Sequence, residues 1–232
     1  MLIFTTGAGA CMLLGSVLGS IEHIRPLWME REFRHSVIAF GGGVLLSGVA
    51  LVLIPEGIGY LPSATLATLI FMCGGLTFFA IERSLGLRRR EAPQFSAMLL
   101  DYVPEALALG GMFSLGSSTA PLLAVLIGLQ NLPEGFNAYR ELTAKKVGHS
   151  STRVFLLIMM MIPLGPLAGY LGWTYGAKYP EILGGVMLFA GGGIMYLLFQ
   201  DIAPQSHLKR HWAPALGGVL GFSVGMFGRF MQ

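Results

Sequence analysis

The chain has 232 residues, 54% of them hydrophobic and only 12% charged, and its mean hydropathy is +0.68. Soluble domains carry about 25% charged residues, so a water-exposed surface could not be covered here. An ordinary cytosolic enzyme, a disordered tail and a nucleic-acid binder are thereby excluded.

In chain order, eight apolar segments run over 2–21, 37–54, 65–81, 95–115, 120–139, 154–176, 181–200 and 213–231. Each is near the roughly 20 residues that a helix needs to cross about 30 Å of hydrocarbon. The runs are continuous rather than alternating, which predicts helices instead of barrel strands. The expected fold class is all-α: a polytopic membrane protein forming one transmembrane domain over 1–232. No basic residue precedes the first apolar run, so it reads as span 1 and not as a secretory signal. Cys11 and Cys73 lie inside apolar runs and build neither a disulfide framework nor a CxxC site.

Charge orders these spans. With eight of them, the connections after spans 1, 3, 5 and 7 share one face and carry 13 of the 15 Lys and Arg residues: Arg25, Arg31, Arg34, Arg83, Arg88, Arg89, Arg90, Arg140, Lys145, Lys146, Arg153, Lys209 and Arg210. Only Lys178 and Arg229 fall on the other face. The positive-inside rule makes the crowded side cytoplasmic and puts both termini outside, in a plasma membrane of bacterial type.

Spans 2 and 7 carry matching features. Gly41-Gly42-Gly43 precedes Ile54-Pro55-Glu56, and Gly191-Gly192-Gly193 precedes Ala203-Pro204-Gln205. Span 3 has Gly74-Gly75 and span 8 has Gly217-Gly218. Spans 1–3 and 6–8 run in opposite directions under this topology, so the pattern predicts a 3+2+3 inverted repeat of the kind found in secondary transporters. The plainer explanation is that glycines let helices pack closely in lipid. Glycine-rich spans 3 and 8 are also the candidate faces for a homodimer.

Spans 4 and 5 hold the chemistry. Span 4 reads Asp101-Tyr102-Val103-Pro104-Glu105-Ala106, and span 5 reads Gln130-Asn131-Leu132-Pro133-Glu134-Gly135. Asp101 and Glu105, like Gln130 and Glu134, are four residues apart and share a helix face. Each proline frees the carbonyl four residues earlier, at Leu100 and Leu129. A carboxylate at mid-bilayer costs on the order of 3 kcal/mol on insertion scales, and neither span offers a Lys or Arg to pair with these acids. A divalent cation would remove both the desolvation and the repulsion. Protonated acids bonded across the helices, or proton traffic through them, are the alternatives.

The paired motifs resemble those of the ZIP (Zrt/Irt-like protein) family of divalent metal transporters, which likewise has eight spans and both ends outside. The resemblance extends over essentially the whole chain. It implies metal ligands at Asp101, Glu105, Gln130, Asn131 and Glu134, in a binuclear-type site helped by spans 2, 6 and 7. It implies zinc, iron or manganese as substrate, no organic cofactor, and movement toward the cytoplasm by alternating access. Asp101 and Gln130 stand where relatives often have histidine. Tyr102 replaces an asparagine of the second metal position, and Gly165-Pro166 takes the place of a metal-binding Glu-Pro in span 6. The short 84–94 connection lacks the family's histidine-rich loop. With oxygen donors alone, the set suits manganese, magnesium or calcium better than zinc.

Two rival readings remain. A protein of this fold could have lost transport and act as a metal sensor or assembly partner, which Tyr102 and Gly165 favour. An intramembrane enzyme is the other, but no His-Glu-x-x-His, Gly-x-Ser-x-Gly or supported Asp pair occurs, so the chain reads as a non-enzyme. His23, His35 and His149 read as solvated residues near basic connections, and His207 with His211 as an interfacial pair. Met159-Met160-Met161 reads as lipid-facing or packing residues, Glu56 as a hydrated carboxylate at the outer end of span 2, and Arg88-Arg89-Arg90 as a topological anchor.

Overall fold

The computed structural model describes residues 1–21, 27–85, 93–144, 147–208 and 211–232. Every regular element among them is helical. The helices are α1 (Leu2–Ile21), α2 (Leu27–Gly48), α3 (Ile54–Gly59), α4 (Ala64–Leu85), α5 (Pro93–Ser114), α6 (Ala120–Thr143), α7 (Ser151–Met161), α8 (Leu164–Gly176), α9 (Pro180–Leu197), α10 (Ala203–Ser206) and α11 (Ala213–Phe230). Among the described residues, five stretches are long and apolar enough to cross a membrane: 2–21, 31–59, 64–84, 151–176 and 180–206. The sequences of α5 and α6 are diluted by the Asp, Glu, Gln and Asn residues of the two motifs.

Spans 2 and 7 are longer than their apolar runs. In each, the α-helix widens into one π-helical turn, Val49–Leu53 and Leu198–Ile202, before a short proline-bearing helix continues. The amide just before each proline bonds five residues back, Ile54 to Val49 and Ala203 to Leu198. Proline has no N–H to close the next α-helical bond, so the register slips at that point. Span 6 is broken instead: α7 ends at Met161 and α8 begins at Leu164, with Pro163 between them.

Four helix pairs make the most extensive contacts: α1 with α6, α5 with α8, α2 with α11, and α4 with α9. Glycine allows each approach. A Cβ at Gly135 would run into the Met12 carbonyl, one at Gly110 into that of Gly169, one at Gly43 into that of Gly218, and one at Gly74 into that of Phe189. The glycines of α4 and α11 are therefore used within the chain. What these helices present outward is Leu66, Leu69, Met72, Leu76 and Phe79, and Leu216, Val219, Leu220 and Phe227. The basic anchors Arg25, Arg88–Arg90, Lys145, Lys146, Lys209 and Arg210, and also His23, lie outside the described residues.

Candidate metal centre

Helices α5 and α6 run unbroken through Pro104 and Pro133. Their motif faces turn into the bundle. Asp101, Glu105, Gln130, Asn131 and Glu134 are all buried, none more than 3% exposed. The three acids lie within electrostatic reach of one another, Glu105 feeling Asp101 and Glu134 feeling both. Among the described residues, no Lys or Arg forms an ion pair with any of them. All five side chains are buried, as the shared helix faces of Asp101 with Glu105 and of Gln130 with Glu134 lead one to expect for those two pairs.

Their bonding is uneven. The Gln130 amide Nε2 donates to both oxygens of Glu105, at 2.9 Å and 2.7 Å. Asn131 donates from Nδ2 to the Ala8 carbonyl at 2.9 Å, which ties α6 to α1. Left without a hydrogen-bond partner are Asp101 Oδ1, Asn131 Oδ1 and Glu134 Oε2. Buried acceptors without donors are rare in folded proteins, and each costs about 1–3 kcal/mol. No three His, Cys, Asp or Glu side chains among the described residues stand together as a ready-made metal cage. Gln130 holds the Glu105 carboxylate across the α5–α6 interface, whereas Asn131 turns toward α1 and Glu134 borders a small cleft shared with α2.

Tyr102 packs where α5, α1 and α8 meet. Its side chain is fully buried, and its hydroxyl donates to the Thr5 carbonyl at 3.1 Å. The hydroxyl sits in a slot between Gly9 of α1 and Gly165 of α8, where a Cβ on either glycine would overlap it. The aromatic ring thus fills the room that a carboxylate at residue 165 would require. Tyr102 and Gly165 form one packed unit beside the break between α7 and α8.

No known family model matches the chain, and no curated protein does.

Asn137 was not among the expected site residues. It is 1% exposed, its Nδ2 donates to the Pro133 carbonyl at 2.8 Å, and its Oδ1 has no partner. Its spacing of three from Glu134 places it on the same helical face, and that spacing in an apolar span is the signal that could have found it. Glu56 differs from the hydrated carboxylate expected. It accepts from Thr119 Oγ1 at 2.5 Å and Ser117 Oγ at 3.1 Å, and from Tyr60 at 3.4 Å. It thereby fastens α3 to the turn joining α5 and α6, where Gly116 takes a positive φ of 68°. Burial, with the nearby Glu56 carboxylate adding to it, pushes the Tyr60 hydroxyl above its ordinary range. His211 lies 3.5 Å from Glu32 and bridges the start of α11 to α2 when protonated. Met159 and Met160 are exposed and Met161 is buried.

Proposed function

We propose that this chain is a divalent cation transporter of a cell membrane, a divergent relative of the ZIP family, carrying its substrate past Asp101, Glu105 and Glu134. The observation that carries this reading is the burial of three mutually interacting acids without a basic partner, two of them with an unpaired oxygen. Such a cluster is tolerable in hydrocarbon when a cation or protons sit among the oxygens. Gln130 has to release Glu105 for that carboxylate to bind metal, and turning its amide would offer Oε1 as a further ligand. An all-oxygen set of this kind selects hard ions, with manganese preferred over zinc.

An eight-span inverted repeat is part of the proposal. Exchanging spans 1–3 with 6–8 and span 4 with span 5 turns the α1–α6 pair into the α8–α5 pair. The same exchange turns the α2–α11 pair into the α9–α4 pair, so the four closest pairs map onto one another. The matching π-helical turns before Pro55 and Pro204 support the same relation. The two halves would rock about the α5–α6 interface to open the acids to one side and then the other.

Tyr102 favours a second reading, in which the site binds a cation without passing it. The ring blocks the space beside Gly165 and ties α5 to α1. Manganese uptake into proteoliposomes separates the two readings. Transport is expected in the wild type and abolished in a Glu105→Gln, Glu134→Gln double variant. An equal rate in both would defeat the transport reading.

A further inference from the structure

Helix α9 carries a ridge, Ile182 and Val186, with a groove on either side of it. The groove toward α8 and α5 holds about 360 Å³ and is walled by Leu107, Leu171, Tyr175, Tyr179 and Leu183. The groove toward α4 holds about 470 Å³ and is walled by Leu61, Leu66, Ile70, Gly185 and Phe189, with Glu181 as its charged residue. Each is many times the roughly 30 Å³ that one water occupies. Both begin at the turn between 151–176 and 180–206, two stretches long and apolar enough to cross a membrane. That sets the turn at the membrane surface and the grooves against hydrocarbon. At the turn stand Lys178 and Glu181, both exposed and, among the described residues, neither in an ion pair or a side-chain hydrogen bond.

We propose that the two grooves bind one zwitterionic phospholipid bearing a primary ammonium, its two acyl chains lying on either side of the Ile182–Val186 ridge. The proposal needs only that these helices cross a bilayer, and it stands or falls apart from cation transport. Paired apolar grooves that meet at a charged turn match two chains joined at one head. A helix of a second copy is about 10 Å across with its side chains, so it would rest on the ridge instead of filling both grooves. The opposite charges specify the head. Lys178 donates to the lipid phosphate and Glu181 accepts from the ammonium, in charge-assisted hydrogen bonds. Tyr175 and Tyr179, each more than half exposed, put amphipathic rings at the depth of the head. An anionic head would leave Glu181 facing negative charge, and a choline head has no N–H to give it.

Native mass spectrometry of the purified full chain in detergent tests this, with phosphatidylethanolamine, phosphatidylcholine or phosphatidylglycerol of identical acyl chains added. Wild-type protein should retain one phosphatidylethanolamine per chain, about tenfold more tightly than either of the others. A Lys178→Gln, Glu181→Gln double variant should hold all three alike. Gly185→Phe should weaken all three, because a Cβ there meets only the Ile70 side chain, at 3.7 Å, so a larger group enters the groove without touching backbone. Equal retention of the three lipids by the wild type, or a preference for another of them, would overturn the site. So would a preference that survives the double variant, or retention that Gly185→Phe leaves unaltered. A lipid-free dimer that Gly185→Phe returns to monomer would assign the grooves to a second copy and overturn the proposal too. Should Gly185→Phe not fold, the double variant decides alone. None of these outcomes bears on manganese, so failure here leaves the transport reading standing.

Discussion

The Tyr102 hydroxyl occupies the space that a side chain at Gly165 would need. Two residues that look unrelated in sequence, 63 positions apart, are therefore one packing solution at the break between α7 and α8. The ring fills the gap, and the glycine makes room for it.

This relationship predicts coupling. Gly165→Ala should destabilise the protein by about 1–3 kcal/mol, the usual cost of overpacking a filled interior. In a Tyr102→Phe background, where the hydroxyl is gone, the same substitution should cost measurably less. Thermal unfolding in detergent closes the double-mutant cycle, and a coupling below about 0.5 kcal/mol would mean that the two residues do not share the space.

Gln130 is expected to stabilise the metal-free protein through its two bonds to Glu105. Gln130→Leu keeps the bulk but removes the donor, so metal-free stability should fall by about 1–3 kcal/mol. An unchanged Tm in the absence of metal would show that the Glu105 carboxylate does not need this amide.

Glu56 acts at a distance from the motif acids. Removing the hydroxyl in Thr119→Val breaks its shortest bond and should cost about 1 kcal/mol, with manganese affinity unaltered. A large change in affinity would instead make the Glu56 cluster part of the cation path.

Cation binding should itself raise stability. At manganese a hundredfold above its dissociation constant, the gain is about 2.7 kcal/mol per site, and zinc at the same concentration should give less. Stronger stabilisation by zinc would contradict the hard-ion preference argued from the oxygen ligands.

The sequence reading located the helices well because continuous apolar runs have few alternatives in a chain this poor in charge. The site faces were legible for a similar reason: spacings of four residues put Asp101 with Glu105 and Gln130 with Glu134 whatever the bundle does. The extensions of spans 2 and 7 were not legible. A π-helical turn depends on how one missing proline amide is accommodated, and the prolines alone do not state that outcome. Nor could the sequence show that Gln130 spends its amide on Glu105 instead of offering an oxygen, since both roles suit the same side chain. The glycines of spans 3 and 8 were equally ambiguous between partners in the chain and a second copy, and the structure places them against α9 and α2.

Anomalous diffraction from crystals grown with manganese tests the central claim most directly. The account predicts a peak within coordination distance of Glu105 and Glu134, with Gln130 turned away from its present bonds. Well-ordered acids bonded to one another and to Gln130, with no anomalous signal at saturating manganese, would contradict it.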